Sequence, residues 1–236
     1  LTGSGKTYAE EVRQGISQIT NAGVKLHTNP NGGALNLAVL PAFGTHWLAP
    51  RLADFIGQCP GVTVNLSTRT RPFDFWNENF HAAIHFGLDD WPNVNSLCLM
   101  QEEVVAVAAP LIVKPSAAND MNEILKMPLL HLQTRPTAWS RWFAQKDLDI
   151  KNITGIQFDQ FATMIQAAVS GLGAAIVPKY LVENELRQGK LVGLGGSATS
   201  VIGSYFLVWP ERSAHHPPVI AFQNWIKSTV AENAII

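Results

Sequence analysis

The chain has 236 residues, of which 47% are hydrophobic and 15% are charged, and its formal net charge is −1 at pH 7. The hydrophobic share excludes an intrinsically disordered chain, and the length is sufficient for two small domains. The near-neutral charge argues against a free-standing nucleic-acid-binding domain, which usually carries a basic surplus. The sequence also contains no apolar window of 18 residues or more that could span a membrane.

An amphipathic helix is predicted near the start of the chain, over residues 7–22. Four apolar side chains follow one another at spacings of four, four and three residues, which places them on one face: Tyr8, Val12, Ile16 and Ile19. A lone helix cannot bury such a face, so the pattern predicts pairing with a second helix. Gly23 is suited to cap the helix, and residues 29–33, Asn-Pro-Asn-Gly-Gly, have the composition of a linker.

Beyond the linker, strands and helices are predicted to alternate. Apolar residues at every second position of Val62–Leu66 predict a strand with one buried face. The apolar stripe from Trp47 to Ile56 predicts a helix, which Pro60-Gly61 ends. In the first half of the chain the predicted strands are 34–40, 62–68, 82–86, 96–100 and 104–108, and the predicted helices are 45–58 and 73–79.

The second half repeats this alternation. Strands that alternate with helices are typical of α/β layers with a mostly parallel sheet, and two such sets predict two lobes. Ligands bind sheets of this kind at the carboxyl ends of the strands, near the helix N-termini. The predicted strands are 129–132, 154–158, 174–177 and 205–209, and the predicted helices are 119–126, 138–145, 161–170, 179–188 and 218–231.

Short segments spread over nearly the whole chain carry a family resemblance. They are L-T-G-S-G-K-T-Y at 1–8, L-A-V-L-P-A-F-G-T at 37–45 with W-L-A-P-R-L at 47–52, A-I-H-F-G at 83–87 with W-P at 91–92, and Q-A-A-V-S-G-L-G-A-A-I-V-P at 166–178. In this order and at these intervals they resemble the LysR-type transcription regulators. Within that family they resemble the group that includes the glycine-cleavage activator and the β-lactamase regulator.

The resemblance implies a fold and a division of the chain. The fold is that of the type 2 periplasmic binding proteins, with two Rossmann-like lobes preceded by an amphipathic linker helix. Residues 1–23 would be the end of a winged helix-turn-helix and the dimerising helix, and residues 24–33 the linker. Lobe I would comprise 32–107 and 209–236, and lobe II 108–208. The DNA-reading helices would lie upstream of residue 1 and be missing here.

Candidate ligand-binding residues of lobe I follow three predicted strands. The turn Pro41–Thr45 lies between a strand and a helix, where free backbone N–H groups favour an anion, although Thr45 could equally be a helix N-cap. Residues 67–71 offer hydroxyl and guanidinium groups, which could also be ordinary solvated loop residues. The predicted cleft residues are Ala42, Phe43, Gly44, Thr45, Thr68, Arg69, Thr70, His85 and Phe86.

Two histidines depart from the family pattern. His85 stands where the family usually has arginine, and His81 where it usually has aspartate. Arginine is permanently charged, whereas histidine titrates near neutrality. The prediction of a carboxylate effector is therefore weaker for this sequence. His85 could instead be a buried residue at the end of a strand.

In lobe II the resemblance and the strand ends indicate the opposite wall of the cleft. Asp159 is also a candidate helix cap, and Tyr205 is also a candidate core residue that needs one hydrogen-bond partner. The predicted cleft residues are Gln133, Trp139, Asp159, Gln160, Phe161 and Tyr205.

Enzymatic chemistry has little support in the sequence. Residues 2–7 look like a phosphate-binding loop, but that motif needs an earlier glycine and a preceding strand. Gly171-Leu172-Gly173 lacks the third glycine of a dinucleotide fingerprint and precedes a strand, which favours close helix–strand packing. Cys59 and Cys98 have no metal-ligand spacing, and two thiols make no disulfide framework. We expect no metal, no cofactor and no catalytic residue.

The sequence therefore favours the effector-binding and oligomerisation region of a cytoplasmic, non-enzymatic LysR-type regulator. The expected partners are a small-molecule effector, DNA bound through the missing head, and further copies of the same chain in a homodimer or homotetramer. RNA polymerase is a further candidate partner, and no membrane is expected. An exported solute-binding protein is the main alternative, because it shares the fold, and an α/β enzyme is a third. The sequence does not identify the effector, the operator or the direction of regulation.

Overall fold

The computed structural model describes residues 32–148, 150 and 153–233, with the backbone alone for 197–202 and 232–233. Near the start of the chain it also describes seven separate residues: Thr2, Gly5, Tyr8, Ala9, Val12, Arg13 and Ile16. No helix in this part of the chain is long and apolar enough to cross a membrane.

The first half of the fold closely follows the predicted alternation. Helical turns continue without a break from Pro41 to Gln58: α1 (Pro41–Phe43), a π-helical turn (Gly44–Leu48), a 3₁₀ turn (Ala49–Arg51) and α2 (Leu52–Gln58). The helix therefore starts four residues before the predicted Thr45, directly after the first strand. The strands are β1 (Gly33–Val39), β2 (Val62–Thr68), β3 (Ala82–Gly87) and β4 (Asn95–Ala108).

The second half adds four strands and five helices to the described fold. The strands are β5 (Leu129–Leu132), β6 (Ile156–Phe158), β7 (Ala174–Pro178) and β8 (Val192–Trp209). The helices are α3 (Met121–Lys126), α4 (Ala138–Ala144), α5 (Phe161–Val169), α6 (Glu183–Arg187) and α7 (Pro217–Asn233). Short 3₁₀ turns lie at Pro115–Ala117, Lys179–Leu181 and Glu211–Ser213.

The eight strands form one continuous sheet in the order β2-β1-β3-β8-β4-β7-β5-β6. Each end of the sheet is a set of three parallel strands, β2-β1-β3 in lobe I and β7-β5-β6 in lobe II. The two long antiparallel strands β4 and β8 lie between these sets and run from one lobe to the other. The predicted two-lobed α/β fold is confirmed.

The pairing of β4 with β8 is irregular at its centre. The register shifts between Cys98 and Met100, between Gln101 and Glu103, and again between Val104 and Ala106. Such bulges bend a strand and change its twist. The irregular pairing lies at the junction of the lobes, on both sides of Glu102.

Each lobe has apolar side chains packed on both faces of its part of the sheet. In lobe I, the face that α7 covers is filled by Phe55, Phe222 and Trp225, whose rings pack at centroid separations of 5.2–5.4 Å. In lobe II, α4 covers one face and α5 the other. The C-terminal helix α7 therefore belongs to lobe I by packing, although it follows lobe II in the chain.

Four predicted elements and the predicted orientation of one side chain need correction. Residues 73–79 are not helical, because Phe73 and Phe75 both pack into one aromatic cluster with Trp91, and residues two apart in a helix cannot share a face. The strands predicted at 96–100 and 104–108 are one strand, β4. Strand β8 begins at Val192 rather than at the predicted Tyr205. Leu66 was expected to face inward on β2 but is 38% exposed.

The described residues of the N-terminal segment agree with the predicted amphipathic helix. Tyr8, Val12 and Ile16 are all helical and are 71%, 42% and 59% exposed. Gly5 is already helical and its amide donates to Thr2 Oγ1 over 3.3 Å, which favours a helix start over a phosphate loop. Ile19, the fourth member of the stripe, and the residues 24–31 of the predicted linker lie outside the described residues.

Candidate functional site

The two lobes face each other across a cavity of about 210 Å³. Its walls are the turns that follow β1, β2, β5 and β6, so the carboxyl ends of the parallel strands of both lobes meet there, as ligand sites of α/β sheets require. We call this space the interlobe cavity. The predicted residues that line it are Ala42, Phe43, Thr45, Thr70, Phe86, Asp159, Gln160, Phe161 and Tyr205.

The helical run after β1 forms much of the lobe I wall. Thr45 and His46 lie in the π-helical turn, and such turns are often found at functional sites. Thr45 is not the N-cap of the helix, because Leu40 takes that position without a side-chain bond. Its hydroxyl is therefore not used in capping.

Three predicted lobe I residues lie away from the interlobe cavity, and a fourth, Thr68, ends β2 at the exposed sheet edge. Arg69 pairs with Glu78, with 2.5 Å between Nη2 and Oε2, and lies over the Phe80 ring. His85 is buried on the opposite face of β3, between Trp91 and Phe206. Gly44 is buried against Val39.

Two predicted residues of lobe II also point elsewhere. Trp139 belongs to α4, and its side chain is buried in the core between this helix and the sheet. Its Nε1 donates to the Leu130 carbonyl over 2.9 Å. It lines a second cavity that lies inside lobe II. Gln133 is exposed, and its amide continues the pairing of β5 and β6 by donating to the Phe158 carbonyl over 2.8 Å.

A buried ion pair lies beside the interlobe cavity. Arg135 donates to both carboxylate oxygens of Glu102, and the bond from Nη2 to Oε1 is 2.9 Å long. The Glu102 side chain is fully buried, and that of Arg135 is 16% exposed. Burial opposes the charge of Arg135, but the bonds and charge of Glu102 outweigh it and raise its pKa. The pair joins a lobe II turn to the crossing strand β4.

Two tyrosines extend this pair into a chain of hydrogen bonds. Tyr205 Oη on β8 donates to Glu102 Oε1 over 2.6 Å, and Tyr180 Oη donates to Tyr205 Oη over 3.2 Å. Burial raises the pKa of both phenols above the ordinary value of 10, so both stay neutral at physiological pH. Both rings line the cavity. Tyr205 therefore has the partner that a buried phenol needs.

Aromatic rings enclose the guanidinium of Arg135. Its Cζ lies 3.9 Å from the centroid of Phe86 in lobe I and 5.2 Å from that of Phe161 in lobe II. These distances are within the range of cation–π attraction. Phe43 and Phe86 in turn pack on Tyr205 at centroid separations of 5.0 and 5.2 Å. Residues of both lobes thus contact one positively charged group.

Among the described aspartate, glutamate, lysine and arginine side chains of the cavity wall, the charge that remains is negative. Arg135 is the only lysine or arginine among the described wall residues, and Glu102 neutralises it. The Asp159 carboxylate forms no hydrogen bond or ion pair with another described residue. The expected capping role of Asp159 is wrong, because Gln160 is the N-cap of α5 and no side chain caps that helix. Asp159 is therefore available to a ligand.

Sequence reasoning missed Glu102 and Tyr180, and it did not identify Arg135 as the partner of Glu102. Glu102 lies in the polar run Gln101-Glu102-Glu103 of β4, so the sequence pattern does not indicate that its side chain is buried. The partners of Glu102 could not be predicted from the sequence, because Arg135 lies 33 residues from Glu102 in the chain and Tyr205 lies 103 residues from it.

The glycine-rich run has a structural role, as predicted. Gly171 has φ +81°, and its amide donates to the Ala168 carbonyl, which ends α5. A Cβ on Gly173 would lie 2.2 Å from the Pro128 carbonyl oxygen, so only glycine allows this close approach of the segments that lead into β7 and β5. In the described part of the chain, no group of three or more His, Cys, Asp or Glu side chains is placed to hold a metal ion.

Comparisons with known proteins agree with this geometry. The family model of the LysR substrate binding domain matches residues 28–231. The glycine cleavage system transcriptional activator of Escherichia coli (strain K12) is 30% identical over 235 residues, which cover 98% of this chain and 76% of that protein. The carbapenem-hydrolyzing beta-lactamase transcriptional activator of Enterobacter cloacae is 26% identical over 228 residues, covering 96% and 76%.

Solved structures give the same result for the fold. The effector domain of the transcriptional regulator AmpR of Pseudomonas aeruginosa has a TM-score of 0.78 at 26% identity and covers 86% of this chain and 97% of that one. The AmpR effector binding domain from Citrobacter freundii has a TM-score of 0.75 at 24% identity, covering 84% and 98%. The similarity therefore extends over both lobes.

Proposed function

Because this chain belongs to the family of LysR-type transcription regulators and contains their substrate-binding domain, we propose that it senses a small metabolite in the interlobe cavity. One observation carries the proposal. Tyr205 and Arg135 both line the cavity, and both bond to Glu102 where the pairing of the crossing strands is irregular. A ligand in the cavity would therefore contact the groups that join the two lobes.

The mechanism follows from this connection. A ligand that contacts Thr45 and Phe86 of lobe I and Asp159 of lobe II favours the lobe orientation in which all three contacts form. It changes the equilibrium only by the difference between its affinities for the two orientations. The bulged centre of β4 and β8 supplies a bend that can change while both lobes keep their own cores.

The cavity wall limits the chemistry of the effector. Its 210 Å³ is below the roughly 300–1,000 Å³ of typical ligand pockets, which favours a metabolite of about amino-acid size. The neutralised Arg135 and the available Asp159 favour an amine or a neutral polar group over a lone carboxylate. Five aromatic rings favour an apolar or aromatic body: Phe43, Phe86, Phe161, Tyr180 and Tyr205.

The N-terminal helical residues support a role in oligomerisation. Exposed Tyr8 and Val12 offer an apolar face to a second copy, so a homodimer, or a homotetramer built from it, is part of the proposal. Replacing Val12 with aspartate is expected to lower the mass measured by sedimentation equilibrium. An unchanged mass would contradict this part of the proposal.

The regulator would act on DNA through a head that precedes the described residues, in the cytoplasm, with RNA polymerase as a further candidate partner. The comparisons favour this function over the exported solute-binding protein and over an enzyme, because the relatives reported above are named as transcription activators and regulators. We therefore keep a single candidate function.

A thermal-shift screen of amino acids, purines and short peptides tests the proposal. A compound that raises the unfolding temperature is then titrated into Thr45→Ala, which removes a cavity hydroxyl, and into Thr163→Ala, an exposed control on α5. We expect the affinity to fall about tenfold for Thr45→Ala and to be unchanged for the control. Equal affinities in both variants would place the compound outside the interlobe cavity and contradict the proposal.

A further inference from the structure

Lobe II contains a second cavity of about 450 Å³, which we call the lobe II cavity. It lies on the face of the sheet that α4 covers, with Val104 and Ile176 on the sheet side and Trp139 and Trp142 on the helix side. This volume is about twice that of the interlobe cavity and falls within the usual range of small-molecule sites. The walls are predominantly apolar and aromatic, so they suit a flat apolar body.

The charges around this cavity are all positive or neutral. Neither aspartate nor glutamate is among its described wall residues, which include Arg135, Arg141 and His131. Arg135 is neutralised by Glu102. Arg141 is exposed on α4 and forms no ion pair or side-chain hydrogen bond with another described residue. Arg141 is thus a guanidinium without a described partner at a predominantly apolar cavity.

We propose that the lobe II cavity is a second ligand site, separate from the interlobe cavity, which binds a small aromatic monocarboxylate. The carboxylate pairs with Arg141, whose planar guanidinium matches it in a bidentate geometry. The ring lies between the indole side chains of α4 and the aliphatic side chains of β4 and β7. Hydroxyl groups of Thr134 and Thr137 on the wall can solvate the carboxylate.

The chemistry of the two cavities distinguishes their ligands. Asp159 lines only the interlobe cavity, where it disfavours an acid, and Arg141 lines only the lobe II cavity, where it favours one. The two spaces share the wall residues Leu132, Thr134, Arg135 and Phe161, so variants at those positions cannot separate them. The test must use residues that belong to one cavity alone.

Phenylacetate and its uncharged amide, phenylacetamide, are suitable probes. Both are titrated into the full 236-residue chain by calorimetry and ligand-observed NMR. A charge-assisted bond predicts that the acid binds about tenfold more tightly than the amide. Arg141→Gln is expected to remove that preference, and it retains the fold because the side chain is exposed. Arg187→Gln, an exposed control on α6 that lines neither cavity, leaves the preference intact.

Two further variants assign the binding to one cavity. Ala144→Leu, which narrows the lobe II cavity from an exposed helix position, is expected to weaken both probes. Thr45→Ala, which lines only the interlobe cavity, leaves them unchanged. Equal affinity for acid and amide, a preference that survives Arg141→Gln, or no binding of either probe up to about 10 mM would overturn the proposal. Loss of binding in Thr45→Ala alone would do so as well, and would leave the interlobe proposal standing.

Discussion

At the scale of single residues, the pairing of Glu102 with Arg135 decides the character of the interlobe cavity. Without Glu102, the cavity would present an unpaired guanidinium and select an anion. With Glu102, that charge is compensated, and Asp159 becomes the unpaired ionic group on the wall. A residue that does not touch the cavity thus sets the sign of the ligand that the cavity accepts.

Glu102→Gln is expected to destabilise the fold strongly. It leaves the buried guanidinium of Arg135 without a compensating charge, and breaking one side of a buried pair typically costs about 3–5 kcal/mol. Urea unfolding followed by circular dichroism measures the change. Glu123→Gln, which breaks the exposed pair with Lys126, is the matched control and should leave the unfolding midpoint unchanged. Similar losses of unfolding free energy in both variants would contradict a special contribution of the buried pair to stability.

At the scale of secondary structure, the crossing strands and the end of α5 show how local conformation shapes the site. Strands β4 and β8 bring Glu102 and Tyr205 together at an irregular pairing. The N-cap Gln160 and the first helical residue Phe161 of α5 line the cavity, and after the helix ends at Val169 the left-handed Gly171 turns the chain toward β7. The position of the cavity wall therefore depends on both ends of this helix.

Gly171→Ala and Gly57→Ala are expected to change stability in opposite directions. Gly171 has φ +81°, and an alanine in this left-handed conformation lowers the free energy of unfolding by about 1–2 kcal/mol. Gly57 lies in α2 with open space around its Cβ position, so alanine stabilises the helix by about 0.5–1 kcal/mol. Urea unfolding of both variants checks the two signs. A stabilised Gly171→Ala would contradict the capping role of this residue.

The parallel strands were predictable because each is a short segment that is apolar over most of its length or, as in β2, at every second position. Predicted bounds for β2 and β5 agree with the structure at both ends. The full length of the crossing strands was not predictable. The run Gln101-Glu102-Glu103 interrupts the apolar pattern of β4, and the glycines at 193, 195 and 196 interrupt that of β8. The burial of Glu102 depends on Arg135 and Tyr205, which lie 33 and 103 residues away in the chain, and local patterns do not contain such contacts.

The candidate site was predictable where it follows strand ends and was missed where it depends on side-chain pairing. Thr45, Asp159 and Phe161 were found because a strand end in an α/β sheet points to the ligand site. His85 was expected near the cavity by family position, but the alternation of β3 turns it to the opposite face from Phe86. The partners of Glu102 were missed because they lie far from it in the sequence.

At the scale of the whole molecule, stability is expected to depend on pH through buried histidines. Burial lowers the pKa of His81, His85 and His131 below the ordinary value of 6.5, because it disfavours the charged imidazolium. Unfolding restores the ordinary pKa, so the unfolded chain binds more protons at acid pH. The stability is therefore present above about pH 6.5 and is lost as the pH falls below it.

Urea unfolding between pH 7.5 and pH 5.5 tests this dependence, since it spans the ordinary histidine pKa of about 6.5. We expect the free energy of unfolding to fall with the pH, and to fall less steeply in His85→Gln. His215→Gln, which changes an exposed histidine, serves as the control and should keep the wild-type slope. A free energy that rises on acidification would contradict the proposed burial of neutral histidines.

The proposed sensing function depends most on a ligand-linked change in the orientation of the lobes. Spin labels on cysteines introduced at Thr63 of lobe I and Lys190 of lobe II, both exposed, allow the interlobe distance to be measured by pulsed electron paramagnetic resonance. Cys59 and Cys98 are replaced by serine. With a compound from the thermal-shift screen, we predict a shifted distance distribution whose midpoint concentration rises in Thr45→Ala. An unchanged distribution at saturating compound would contradict the account.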